Sequence, residues 1–202
     1  MKPETFAYLS IPVAVFFWFV SFWWRPVNFW IDMGSATFIL LISSLYFGRG
    51  TFKAQLGSKI FVLGLASGVI LYFVFFVGNY VALLLPSGHA EISSIYSLRI
   101  TGQPLLQGIL LVFPIAVGEE VYWRGLLQNQ LSRKFGNEAG WVASALLYGG
   151  VHLWSRSLTL VVAALVAGLW WGLLFKRTRN VLPSIISHGL WSLLIFLIFP
   201  LS

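Results

Sequence analysis

Long apolar runs separated by short polar gaps fill almost the whole chain. Seven of them approach the roughly 20 residues that a bilayer-crossing helix needs. The pattern predicts spans at Phe6–Trp24, Phe29–Phe47, Ile60–Leu85, Leu105–Leu131, Ala139–Leu153, Leu158–Phe175 and Val181–Leu201. The runs are continuous and lack the two-residue alternation of a barrel strand, so they read as helices. The first run is too long for a signal peptide and ends in Trp23-Trp24-Arg25-Pro26 with no small-residue cleavage pattern, so it reads as an anchor. The expected fold class is all-α, a polytopic transmembrane helical bundle of about seven spans. A three-helix region over 1–104 precedes a four-helix core over 105–202, the two forming one integrated membrane domain.

Composition sharpens this picture. Of 202 residues, 58% are hydrophobic and only 9% are charged, where a soluble domain carries about 25% charged residues. That excludes a soluble globular domain and a disordered chain. Cysteine is absent, which excludes a disulfide framework, a thiol nucleophile and a thiolate metal site. The net charge is +7, yet the basic residues sit in the gaps between apolar runs. They therefore read as topology signals and not as a nucleic-acid surface. Seven spans put Lys2, Arg49, Lys53, Lys59, Arg133, Lys134, Lys176, Arg177 and Arg179 on one face and only Arg25, Arg99 and Arg156 on the other. This bias predicts a cytoplasmic N-terminus and an external C-terminus; the expected location is a plasma membrane, of bacterial type. The longest external connection, Pro86 to Pro104, carries His89 and Glu91. Gly64-x-x-x-Gly68 and Gly168-x-x-x-Gly172 are spacings that let helices approach closely.

Ionisable groups inside spans cost at least about 2.5–3.5 kcal/mol each on insertion scales, so they mark chemistry. The fourth span carries Glu119, Glu120 and Arg124. Glu120 and Arg124 are four residues apart with the acid first, so they share a face and pair. Glu119 is turned about 100° away and lacks that partner, which suits a general base. The fifth span ends with Tyr148 and His152 on one face, and the seventh holds His188 and Ser192 on one face. Measured from the cytoplasmic ends, Glu119, His152 and His188 lie about 18, 20 and 10 Å deep, within a hydrocarbon core about 30 Å thick. His89 reads as a solvated loop residue.

A carboxylate, two imidazoles and a hydroxyl at similar depth can activate water against a carbonyl. Glu119 would deprotonate the water. His188 and Ser192 would donate to the oxyanion. His152 would position the water or pass a proton to the leaving amine. The same groups also describe a zinc site with Glu119, His152 and His188 as ligands. The sequence has no His-Glu-x-x-His, and the metal-free reading, with no cofactor, is favoured. A proton-coupled carrier uses similar buried acids and histidines, and a partner-binding protein could keep the same fold.

Glu119-Glu120-x-x-x-Arg124, Tyr148-x-x-x-His152 and His188-x-x-x-Ser192 resemble, in order and spacing, the three motifs of the CAAX protease and bacteriocin-processing (Abi) family. The resemblance covers about Leu105 to Leu201. It implies an intramembrane endopeptidase of the glutamic type acting on a membrane-associated protein or peptide within the bilayer. Glu119 takes the base position, and His152 and His188 take the two essential histidine positions. Ser192 stands where the family usually has Asn or Asp, and its shorter side chain weakens the oxyanion contact. Tyr148 stands where the family usually has Phe, a mild change. Relatives that cut C-terminal sorting or anchoring signals, and others linked to bacteriocin maturation or immunity, set the range of implied roles. A non-catalytic immunity protein is the corresponding alternative.

Overall fold

The computed structural model describes residues 1–99 and 103–201. Eight main helices can be traced among them: α1 (Pro3–Trp24), α2 (Phe29–Phe47), α3 (Ser58–Leu83), α4 (Gly88–Tyr96), α5 (Pro104–Phe135), α6 (Asn137–Val151), α7 (Leu158–Thr178) and α8 (Leu182–Ile198). A 3₁₀ turn, His152–Ser155, follows α6. The described residues form no strand beyond an isolated bridge between Lys53 and Asn180. The chain is a helical membrane bundle, an integral membrane protein.

Five helices, α1, α2, α3, α5 and α7, are long and apolar enough to cross a bilayer. The other two runs expected as spans form the shorter helices α6 and α8. At 15 residues, α6 is about 22 Å long, less than the hydrocarbon core. Its inward face is built from Gly140, Ser144, Ala145 and Gly149, which pack against protein and not lipid, so it needs no lipid-length apolar run. The second difference lies between Pro86 and Pro104, expected as a loop. Nine of its residues form α4. Glu91 on α4 accepts hydrogen bonds from Ser87 Oγ (2.8 Å), Ser157 Oγ (3.0 Å) and the Thr159 amide (2.7 Å). The carboxylate thus sits at the N-terminus of α7, where helix amides and the dipole favour negative charge. These bonds hold the Glu91 carboxyl down at about 2, below the ordinary carboxylate range. His89 lies exposed on the same helix.

Helix starts follow local chemistry. Asn28 caps α2, its Oδ1 accepting from the amides of Trp30 and Ile31 at 3.0 Å. Ser157 caps α7 through the Leu160 amide. Such caps pair donors that a helix start leaves free.

The bundle is centred on α5. Half of its most apolar window is buried, against 22% for α3; α5 is buried without a break from Gly118 to Ser132, while α3 faces outward along most of its surface. α5 is not a regular helix. Phe113, before Pro114, has extended backbone (φ −138°, ψ 125°), and proline cannot donate to the helix ladder. Wide π-type turns at Leu111–Ala116 and Val121–Gln128 flank the short α-helical piece Val117–Glu120. Such turns recur at functional sites, and here they bracket the two glutamates. The small-residue spacings mark close approaches. A Cβ on Gly64 would stand 2.7 Å from the Ile186 Cβ, and one on Gly168 would stand 3.1 Å from the Tyr148 ring. The first seats α3 on α8; the second lets α7 press Tyr148 toward α5.

Candidate active site

Glu119 and Glu120 leave α5 in different directions, as one residue step on a helix requires. Both are buried, at 3% and 0% exposure. Around each a separate set of partners forms.

Glu119 Oε2 accepts a hydrogen bond from the Tyr148 hydroxyl at 2.5 Å. This is a short, charge-assisted contact of the kind that is stronger than a neutral one. It is the one hydrogen bond Glu119 makes among the described residues, so Oε1 is left for another donor. One turn on, His152 Nδ1 donates to the Tyr148 carbonyl at 2.7 Å, and Trp18 Nε1 donates to His152 Nε2 at 3.3 Å. A backbone carbonyl only accepts, so Nδ1 carries the proton and Nε2 presents a lone pair. The imidazole is walled by the rings of Trp18, Phe22 and Tyr148, with centroids 5.9, 5.6 and 4.9 Å away.

Glu120 Oε1 accepts from Arg124 Nη1 at 3.0 Å, the pairing expected from their spacing, and also from His188 Nδ1 at 2.9 Å. The second bond reaches from α5 to α8 and fixes which ring nitrogen of His188 faces protein. Trp171 of α7 stacks on the same imidazole, centroids 3.9 Å apart and planes 15° from parallel. Trp171 in turn donates from Nε1 to Ser187 Oγ, which shares a hydrogen bond with Ser67 of α3. The ring is thus held by α5 in its plane and by α7 across its face. Arg124 spans the two sets: its guanidinium lies 4.5 Å above the Tyr148 ring and 5.4 Å from that of Trp171. Ser192 is buried one turn beyond His188, with no hydrogen bond to its hydroxyl among the described residues.

Six of the seven residues singled out in the sequence therefore form two adjoining networks around α5, α6 and α8, bridged by Arg124 over Tyr148, and Ser192 lies one turn beyond His188. Two partners carry no signal in the motifs. Trp18 comes from α1, in the half of the chain outside them, and Trp171 from α7. A sign of Trp18 does exist in the sequence. Ala7, Ser10, Ala14, Trp18 and Ser21, spaced by three or four, are buried, and a stripe of small residues in a bulky apolar helix marks its packed face. The hydroxyl of Tyr148, a mild exchange by its motif position, proves to be the direct partner of Glu119.

The zinc alternative requires Glu119, His152 and His188 to converge. Among the described residues no group of three or more His, Cys, Asp or Glu side chains is placed to hold a metal ion. His152 and His188 point ring nitrogens at Trp18, the Tyr148 carbonyl and Glu120 instead.

Residues 101–194 match the family model described as type II CAAX prenyl endopeptidase Rce1-like. No curated protein matches the chain. No solved structure matches it.

Proposed function

Through residues 101–194 the chain belongs to the CAAX protease family, and from that premise we propose that it cleaves membrane-associated protein substrates by a Glu119-activated water. The coarser statement, an intramembrane protease of the CAAX type, follows from the family. The finer one rests on a single observation, the short hydrogen bond from Tyr148 to one oxygen of the buried Glu119.

That bond holds the carboxylate in one orientation and leaves Oε1 for a water. A general base must lie within hydrogen-bond reach of the proton it takes, and an immobilised carboxylate meets that need at little cost in order. The lone pair on His152 Nε2 positions the same water. Its contact with Trp18, at 3.3 Å, is longer than the usual 2.7–3.2 Å range, so a water can displace it. On the other side His188 is oriented by Glu120 through Nδ1, as a carboxylate orients a catalytic imidazole in other hydrolases. Because Nδ1 already donates to Glu120, the ring donates from Nε2 to the developing oxyanion only as the imidazolium, the form in which both nitrogens carry protons, and Ser192 supplies a second donor from the same helix face. The water adds to the scissile carbonyl carbon, Glu119 takes its proton, and the tetrahedral intermediate collapses as that proton passes to the leaving amine. No acyl-enzyme forms, and no step passes through a metal. We place cleavage at C-terminal anchoring or sorting segments, where a substrate brings its peptide bond to the membrane.

The test is cleavage of a single-span reporter carrying a C-terminal anchor, reconstituted with the purified chain. Cleavage is expected to persist with a chelator and with a serine-directed covalent inhibitor, and to be lost in His152→Ala and His188→Ala but not in His89→Ala. A covalent adduct on Ser192 would overturn the water mechanism. Inactivation by chelator that added zinc reverses would overturn the metal-free step.

A further inference from the structure

A second polar site lies away from the catalytic residues, where α1 begins and α5 ends. The last turn of α5 and the first turn of α1 enclose a pocket of about 340 Å³ lined by Lys2, Pro3, Glu4, Gln130, Arg133 and Lys134. Three cations face one carboxylate there. Lys2, Arg133 and Lys134 are exposed, as is usual for a solvated basic face, and their charge alone would say little. Two further features do not fit a merely solvated face.

The first is Gln130. It is 4% exposed, and its Nε2 is buried with no hydrogen-bond partner. A buried amide donor left unpaired costs about 1–3 kcal/mol, which an acceptor from outside the chain, a water or an anion, would offset. The second is the start of α1. Lys2 stands at the N-cap and makes no side-chain cap, and Pro3 follows at the first helical position. The amides of Glu4 and Thr5 are thus without a cap at the positive end of a long helix, a position that attracts phosphate. Against the single Glu4 carboxylate in the first turn of α1, three cations leave the pocket net positive, and with an orphan amide and open helix amides they ask for an anion with several acceptor oxygens.

The surroundings say what carries that anion. Both helices that bound the pocket are span-length, so it lies at a membrane face. Lys134 Nζ sits 4.8 Å from the Tyr8 ring and 5.3 Å from that of Phe135, and aromatic rings beside basic residues mark the headgroup level of a bilayer. Leu9, Val13 and Phe16 continue down α1 as exposed apolar side chains, a surface along which acyl chains can lie. The face is also the one on which the basic residues of the sequence concentrate, the side where anionic lipids are enriched.

We propose that this pocket binds the phosphate of an anionic phospholipid. The phosphate oxygens take the Gln130 amide and the α1 amides, Lys2, Arg133 and Lys134 neutralise the charge, and the acyl chains run along α1. The site ties the start of α1, the helix that brings Trp18 to His152, to the end of α5, the helix that carries both glutamates.

The test uses the full chain, delipidated in detergent and titrated with phosphatidylglycerol or phosphatidylcholine, with binding read by native mass spectrometry and thermal unfolding by fluorescence. Phosphatidylglycerol is expected to bind and to raise the melting temperature, and phosphatidylcholine to do neither. Arg133→Gln and Lys134→Gln are each expected to weaken phosphatidylglycerol about fivefold. Gln130→Leu, which changes no charge, is expected to weaken it by about tenfold. If Gln130→Leu fails to accumulate, Lys134→Gln, altered at an exposed position, decides. Equal binding by the wild type and every variant would overturn the proposal. Inorganic phosphate stabilising the chain as well as phosphatidylglycerol does would overturn the choice of a lipid as its source.

Discussion

On one side of α5, Glu119 meets a phenol, Tyr148, with the Arg124 guanidinium over that ring and His152 beyond it between a carbonyl and an indole. On the other side Glu120 meets an arginine and a histidine at once. The two carboxylates adjoin in sequence and are equally buried, so neither burial nor residue type separates their roles. Partner chemistry does. A carboxylate shared by a guanidinium and an imidazole is committed to holding them, and its proton affinity is of no use to a substrate. Glu120 also leaves one oxygen, Oε2, without a partner among the described residues, so the difference lies in the donors: Glu119 meets one neutral hydroxyl, which leaves its proton affinity for chemistry. One helical step of about 100° is enough to assign one glutamate to structure and the next to catalysis.

The largest break in this contrast should come from Glu120. Glu120→Gln strands Arg124 and frees His188, and removing one partner of a buried pair costs about 3–5 kcal/mol. Folded yield and melting temperature in detergent are expected to drop sharply, and Arg124→Ala should match it. Next is the oxyanion side. Ser192→Ala is expected to slow reporter cleavage by about 10²–10³ with normal accumulation, and Ser192→Asn to equal or exceed the wild type; an unchanged rate in Ser192→Ala would remove the hydroxyl from the mechanism. A smaller effect should follow from Tyr148→Phe. A hydrogen bond to a charged group is worth about 1.5–3 kcal/mol, so cleavage is expected to fall roughly ten- to a hundredfold while substrate binding, measured with the Glu119→Gln background, stays constant. The smallest lies at the periphery. The Glu91 carboxyl is held down at about 2 by Thr159, Ser87 and Ser157. Its contribution is therefore present above the ordinary carboxylate value and lost as pH falls through about 2. Glu91→Gln is expected to lower the melting temperature by a few degrees at neutral pH and to leave a smaller gap from wild type in strong acid.

The sequence made legible what one helix decides by itself. The Glu120–Arg124 pair follows from a spacing of four, and the bounds of α2, Phe29–Phe47, match the apolar run. What crosses between helices was not legible. The bond from Glu120 to His188 joins residues 68 apart, and that from Trp18 to His152 joins residues 134 apart. No spacing rule reaches across such separations. Nor did the motifs show that Tyr148 uses its hydroxyl, since the residue type fits a packing role as well. Helix α4 was hidden for another reason: its fold depends on Glu91 finding the start of α7, a tertiary event in a stretch that opens with turn residues.

The division between the two glutamates is tested most directly by purifying Glu119→Gln and Glu120→Gln side by side and measuring, for each, reporter cleavage and thermal unfolding. Glu119→Gln is expected to unfold like the wild type and to lose cleavage by at least about 10²–10⁴, the range a general base supplies, while Glu120→Gln loses stability first and activity with it. A Glu119→Gln protein that cleaves at the wild-type rate, or one that unfolds as readily as Glu120→Gln, would contradict the assignment.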